Sequence, residues 1–527
     1  MRKQRRILLL TAICGALLSS ALSTALARPL TVALSKPQQL LANTNASKLS
    51  PQDEAFLEDL SKRLFRFFWE NADPNTGLVL DRIRTDGSPP DATHRDVASI
   101  AATGFGLTAL CIAAERGWIN STEARKRVHS SLQFLADRMP SHNGWFYHFV
   151  NRKTGERVWK SELSSIDTAL LMAGVLTVRQ YYRSDAEIYS YATRIYQRID
   201  FPWMLNNHTT LLSMGWRPEN GWINSRWDNY SEHTMLYLMA IGSPSHPINA
   251  RSWYAWKRDW NHYKRYKYLG TAPLFTHQYS HAWIDYRGRR ETRGSHVDYF
   301  ENSVIATRAH REFCLDLAVK FPGYSENVWG ISASDSATGY RAWGGPPATP
   351  DIDGTVVPNA PGGSLMFTPD ISVPALRAMH QQFGERIYGR YGFADAFNPN
   401  TGWVDTDVIG IDVGIMLLSA ENLKTGNVWR WFMRNGEIER AMQMVGLRKY
   451  GERGSRAKWQ SGKGKGVNRK TCESCRRRSA DCSDPFYNAV ARVRQNPADG
   501  SRRIVQILST THGPRGSRSA FLLVERI

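Results

Sequence analysis

Acidic side chains set among aromatic ones near the starts of helices are the residues of this sequence that could do chemistry, and they gather at three places. The first is the stretch 144–174, GWFYHFVNRKTGERVWKSELSSIDTALLMAG. Ser164 or Ser165 can cap a helix there, which puts Asp167 in its first turn and Glu162 on the incoming loop. Free backbone N–H groups and the helix dipole favour an ionised Asp167. Glu162, outside the helix beside Trp159, is expected in a less polar pocket that raises its pKa. Two carboxyls in different environments suit general acid–base chemistry, although Asp167 could equally serve only as a helix-start acid.

The second place is 215–247, GWRPENGWINSRWDNYSEHTMLYLMAIGSPSHP. Asp228 and Glu232 are four apart and would share one face of a helix beginning near Trp227. Trp216, Trp222, Trp227 and Tyr230 surround them. Indole rings beside carboxylates suit a sugar site, where the ring covers an apolar pyranose face and the acids bind hydroxyls or protonate the glycosidic oxygen. The third group is later and looser: Asp285, Glu301, Asp405, Asp407, Asp412 and Glu421 stand near aromatic or glycine-rich turns and suggest a cleft wall. Trp145 and His148 from the first stretch, with Trp329 and Trp343 from the third region, complete the expected substrate-binding set.

These residues need a scaffold, and the scaffold reads as all-α. Helical spacing or Ala-rich apolar runs mark 52–69, 98–116, 164–183, 185–198, 231–241, 246–258, 302–318, 371–387, 410–423 and 427–443, while alternating strand patterns are scarce. About a dozen helices joined by loops of alternating length suit a closed ring of helical hairpins. The small residues in 98–111 and 168–175 suit inner helices that must approach closely.

Other chemistries lack their motifs. There is no P-loop, no G-x-S-x-G elbow, no H-E-x-x-H and no dinucleotide fingerprint, so neither a metal nor a cofactor is expected. The net charge of +20 is concentrated in residues 447–527, which carry 19 Lys/Arg against 6 Asp/Glu, so the main body gives no reason to expect a nucleic-acid partner. Beyond the N-terminus no apolar run approaches the ~20 residues of a membrane span.

Residues 1–27 have the cationic start, apolar middle and Ala25-Leu26-Ala27 end of a secretory signal, which predicts cleavage after Ala27 and a periplasmic or secreted protein. Residues 28–50 read as a linker, 51–446 as the helical domain and 447–527 as a basic Gly/Ser/Arg-rich tail. Cys111 and Cys314 are expected as buried thiols, and Cys472, Cys475 and Cys482 make only half of a zinc pattern.

Four segments, SSIDTALLMAG, WDNYSEHTMLYLMAIGSPSHP, LFTHQYSHAWIDYRG and VWGISASDSATGYRAWGGPP, resemble the bacterial glucoamylase-like domain of glycoside hydrolase family 144, the endo-β-1,2-glucanases. The resemblance covers roughly residues 55–446. It implies an (α/α)6 toroid with a cleft across one end, no metal, and hydrolysis of an oligo- or polysaccharide, β-1,2-glucan, with anomeric inversion. It places Glu162, Asp167 and Glu232 in acid-bearing stretches of the family. Inversion needs one protonated carboxyl at the leaving oxygen and one carboxylate activating water opposite, about 6.5–9.5 Å apart. Glu162 is the expected acid, with Asp167 or Glu232 as base or substrate binder. The alternatives are a glycan-binding protein without catalysis and a toroidal polysaccharide lyase.

Overall fold

A stretch such as Ile100–Glu115, IAATGFGLTALCIAAE, offers water no polar face, and in the computed structural model it is buried on nearly every side. The structure describes residues 49–451 apart from 271 and 348–351; the expected signal sequence, nearly all of the expected linker, and the expected tail beyond 451 with its three cysteines lie outside the described residues. Fourteen helices are described: α1 (Pro51–Asn71), α2 (Ile100–Glu115), α3 (Ser121–Asp137), α4 (Ser165–Tyr181), α5 (Ala186–Gln197), α6 (Phe201–Met204), α7 (Thr234–Gly242), α8 (Tyr279–Trp283), α9 (Tyr299–Leu317), α10 (Asn359–Gly363), α11 (Pro369–Phe383), α12 (Gly410–Lys424), α13 (Asn427–Phe432) and α14 (Gly436–Met444).

Burial sorts them into two layers. All of α7, α8 and α10, nearly all of α2 and α4, and most of α12 are buried, whereas α1, α3, α5, α9 and α11 bury one face only. The inner helices pack on one another, α4 on α2, α2 on α12 and α12 on α10, and the outer α1 rests on both α2 and α12, so the early and late parts of the chain meet. Close approach is built from glycine. A Cβ on Gly104 would stand 2.2 Å from the Leu170 carbonyl oxygen, and one on Gly174 would stand 2.2 Å from that of Gly104. The backbones of α2 and α4 are therefore in direct contact.

Short strands run along the N-terminal ends of the inner helices. Leu163–Ser164 pairs with Gly215–Arg217, which pairs with Gly221–Trp222. Val97–Ser99 pairs with Phe149–Asn151 and also bridges Leu80, and Arg82–Arg84 pairs with Asp407–Ile409. The strands 97–99, 163–164 and 407–409 lead directly into α2, α4 and α12. Ser99 and Ser164 then cap their helices by accepting the backbone N–H of Ala102 and of Asp167. This ladder fixes the positions of the acids.

Several boundaries differ from expectation. The helix after Trp227 begins only at Thr234, because residues 228–230 are drawn into a turn by the Asn229–Lys257 bridge; Asp228 and Glu232 therefore do not share a helical face. The 246–258 stretch forms only a 3-10 turn, Ala250–Tyr254, and 427–443 breaks into α13 and α14. Helix α3 was not anticipated, and Leu447–Lys449 pairs with Arg289–Glu291, so the fold continues past residue 446.

Candidate active site

Two groups of carboxyls stand on this strand-built rim. The first gathers Glu162 and Asp167, on either side of the 163–164 strand, with Glu232 from the turn before α7. Ser164 fixes Asp167: its hydroxyl donates to Asp167 Oδ2 at 2.5 Å and accepts the Asp167 N–H at 3.2 Å. Ser165 takes a different task, donating to the Ser213 and Met214 carbonyls while accepting the Trp227 indole N–H. His148 lies between the acids, with Nδ1 3.1 Å from Glu162 Oε1 and Nε2 3.4 Å from Asp167 Oδ1. Arg217 Nη2 donates to Glu162 Oε2 at 3.2 Å.

The electrostatics reverse one expectation. Burial works to raise the Glu162 carboxyl, but the His148 hydrogen bond and charge, helped by Arg217, bring it down to about 2. That lowering runs against the raised pKa expected of Glu162. Glu232 is the opposite case. It is buried, its carboxyl is raised mainly by desolvation and further by the charge of Asp167, and the Ser231 hydroxyl donates to it. Of the three acids, Glu232 has the electrostatics of a protonated donor.

The second group was only partly visible in the sequence. Asp405 and Asp407 converge there with Asp335 and Asp395 around Arg82, and Asp412 stands beside Asp395. Arg82 Nη1 is 2.6 Å from Asp335 Oδ2 and 3.6 Å from Asp407 Oδ2, and its Nε is 3.3 Å from Asp81 Oδ2. The ladder brings Asp395 in: its backbone N–H donates to the Asp407 carbonyl at 3.0 Å, and its Oδ2 accepts the Asp335 N–H at 2.8 Å. Burial and the surrounding carboxylates push Asp395 far above the ordinary range and push Asp405 up to about 7. Asp285 instead pairs with Arg287, Glu301 sits in the first turn of outer helix α9, and buried Glu421 bonds Thr425 and Asn427 in the last turns of α12.

A chain of rings joins the groups. His148 stacks on Phe149, Phe149 meets Trp159 at 5.1 Å, and Trp159 meets His94 at 5.0 Å; the charge of His94 acts in turn on Asp407. Trp159 and Lys160 hold left-handed backbone at φ 53° and 50°, a strained loop at the rim that the sequence did not signal. Trp216 and Trp222 are half-buried and pack with Trp203, the latter at 4.5 Å, while His142 stacks on Trp216.

Most of the other expected sugar platforms are structural. Trp145 is fully buried and donates to the Asp200 carbonyl. Trp227, Trp329 and Trp343 are buried, and Tyr230 is buried against Tyr299. Asp228 is exposed, and its carbonyl accepts the Lys257 N–H. His148, also offered as a substrate binder, has its nitrogens turned to the acids.

Two trios, His148–Glu162–Asp167 and Asp335–Asp395–Asp405, each bring three ligand-type atoms within 4.8 Å of one another. In each a protein cation stands among or beside the acids, Arg217 at the first and Arg82 at the second.

Residues 224–436 match the family model Glycoamylase, described as putative glucoamylase. The chain is 26% identical over 431 residues to an exo β-1,2-glucooligosaccharide sophorohydrolase (non-reducing end) of Parabacteroides distasonis, an alignment covering 75% of this chain and 58% of that protein. The chain thus spans less than two thirds of that relative. The endo-β-1,2-glucanase of Chitinophaga pinensis, solved with sophorotriose and glucose, aligns with a TM-score of 0.70 at 26% identity, over 75% of this chain and 99% of that one. A β-1,2-glucanase structure from Parabacteroides distasonis aligns with a TM-score of 0.69 at 26% identity, over 75% of this chain and 60% of that one. The helix-dominated fold is the fold of these proteins.

Proposed function

We propose that this chain is a glycoside hydrolase that cleaves β-1,2-linked glucan with inversion, on an (α/α)6 toroid whose cleft lies at the strand-built rim. The observation that carries the reading is a buried Glu232 whose carboxyl is raised, with Asp405, poised at about 7, in the second carboxyl group. The β-1,2-glucan activities of the similar proteins support the choice of substrate.

In this mechanism Glu232 gives its proton to the glycosidic oxygen as the bond to the departing glucan breaks. A carboxylate on the far side takes a proton from water, and that water's oxygen attacks the anomeric carbon from the opposite face. Asp405 is assigned to the water: it is half-buried, and a group poised at about 7 is well matched to a general base. Residues 1–27 are proposed as the export signal, which would put the enzyme where extracellular glucan is met.

Incubation with linear β-1,2-glucan tests the reading. Release of reducing ends is expected, with the α-anomer appearing first by NMR; the β-anomer would overturn inversion, and no release would overturn the activity. Glu232→Gln should lower turnover about 10²–10⁴-fold with glucan still bound. Wild-type turnover in that variant would move the acid elsewhere.

A further inference from the structure

His148 belongs to no step of that mechanism, yet it is the best-clamped ring at the rim. We propose that His148 is a positioning residue for the acid: held doubly protonated between Glu162 and Asp167, it fixes the charge of Asp167 beside Glu232 and so sets the pH at which Glu232 gives up its proton. This rests on the reading of Glu232 as the acid.

The geometry divides the oxygens of each carboxylate between two partners. Glu162 gives Oε2 to Arg217 and Oε1 to His148; Asp167 gives Oδ2 to Ser164 and Oδ1 to His148. Both ring nitrogens therefore face anionic oxygen. A neutral imidazole would turn a lone pair towards one of them, so the arrangement favours the imidazolium. Phe149, stacked at 3.8 Å, keeps the ring from swinging away.

The charges close on themselves. Glu162 and Asp167 are balanced by Arg217 and His148, which leaves a protonated Glu232 with no net charge to answer. The groups around the ring come from different elements: Glu162 and Asp167 flank the 163–164 strand, Arg217 comes from its partner strand, Glu232 from the turn before α7, and His94 from the far side of Trp159. Glu232 senses this set through Asp167, whose negative charge helps it to keep its proton. A cation on Asp167 moderates that effect, and losing the cation strengthens it.

His148→Gln is the test. The amide is close to the ring in size and cannot carry its charge, so Glu162 and Asp167 are left with Arg217 alone. The alkaline limb of kcat/KM, where Glu232 loses its proton, should move upward by about one pH unit, the scale of a charge lost a few ångströms away. Glu162→Gln removes an anion together with the cation it holds, so the net charge of the set stays the same and the limb should move by less. A part that merely supports the fold would lower kcat and leave the limb in place, so an unmoved or lowered limb in folded His148→Gln overturns the proposal. A second measurement needs no altered protein to be active. In wild-type enzyme carrying 15N-histidine, one ring should show both nitrogens protonated above pH 7, identified by its absence from His148→Gln; a wild-type spectrum without such a ring also overturns it. Glu232→Gln separates the two readings. Normal turnover in that variant removes the acid assignment and this proposal together, whereas lost turnover with an unmoved limb in His148→Gln removes only the role of His148.

Discussion

Replacing Arg82 by Gln leaves Asp81, Asp335, Asp395, Asp405 and Asp407 facing one another, with Arg84, 3.4 Å from Asp407, as the remaining cation at the edge. Three of those acids lie 2.6, 3.3 and 3.6 Å from the guanidinium, which is itself buried. At an effective dielectric near 20, a unit pair about 4 Å apart is worth about 4 kcal/mol before desolvation. Net of desolvation, removing one partner of a buried pair costs about 3–5 kcal/mol. That is a large part of a typical stability of about 5–15 kcal/mol. The carboxyls have an escape, which is to take up protons. Losing the cation raises Asp395, Asp405 and Asp407, already above the ordinary range, further above the ~4 of an unfolded chain. The variant therefore binds more protons when folded than the wild type does, and its deficit must grow as pH rises. The expected deficit is about 3–5 kcal/mol at pH 8. At pH 5, where the raised carboxyls of Asp395 and Asp405 hold protons, it shrinks to about 1–2 kcal/mol, the cost of an imperfectly paired buried polar group. Urea unfolding at both pH values measures it. In the same variant the acid limb of kcat/KM should move up by about one unit, because the general base now ionises later. A deficit equal at the two pH values, or larger at pH 5, would refute the reasoning.

Two other consequences follow from the interior. Gly174→Ala would drive a Cβ to 2.2 Å from the Gly104 carbonyl oxygen and 2.7 Å from its Cα, backbone atoms that cannot swing aside. Although alanine is the better helix former, urea titration should show a net loss of about 1–3 kcal/mol, and an unchanged midpoint would mean that α2 and α4 stand further apart. Burial pushes His233, His277, His281 and His310 down to about 3, so the unfolded chain takes up protons from about 6.5 downwards while the folded one does not. Stability conferred by these rings is complete above pH 6.5 and is lost as pH falls towards 3; urea midpoints at pH 7, 5 and 4 should fall steadily, against a flat series if the rings are wet.

What the sequence makes legible is whatever depends on near neighbours. The spacing of Leu57, Leu60 and Leu64 marks α1, and the small residues of 98–111 and 168–175 foretell the touching helices, with Gly104 and Gly174 at the contact. Of the two serines read as candidate caps Ser164 is the cap, and Asp167 stands in the first turn as read, because a cap is a local structure. Helix α3 was missed although Val128, Leu132 and Leu135 repeat at helical spacing, since Arg125, Lys126 and Arg127 mask the stripe. The direction of the Glu162 shift was not legible because its surroundings are set by pairing: His148 faces it across the turn, and Arg217 arrives from 55 residues away through a strand pairing that a two-residue strand scarcely announces. Asp395 and Asp335 stand at no helix start, and only the ladder between 395 and 407 carries them to the rim. Tryptophans were overcounted as sugar platforms because a large ring reads the same whether it faces a cleft or fills the wall behind it, as Trp145 and Trp329 do.

The two carboxyl groups differ in the kind of cation that balances them, and this bears on how one rim can hold both an acid and a base. Arg82 keeps its charge at every accessible pH, so the cluster around it is tuned by how many acids crowd one fixed cation. Five carboxyls exceed what one or two guanidinium groups can compensate, and the surplus appears as protonation: Asp395 retains its proton, and Asp405 titrates near neutrality. At Glu232 the excess is smaller and the neighbouring cation is a histidine. There burial does most of the work of holding the proton, and Asp167 adds to it. A fixed cation among many acids yields a carboxylate that is ionised yet basic. A titratable cation among few yields a carboxyl that stays protonated until the pH overcomes its surroundings. Exchanging the two cations should therefore degrade both roles without moving either carboxyl group.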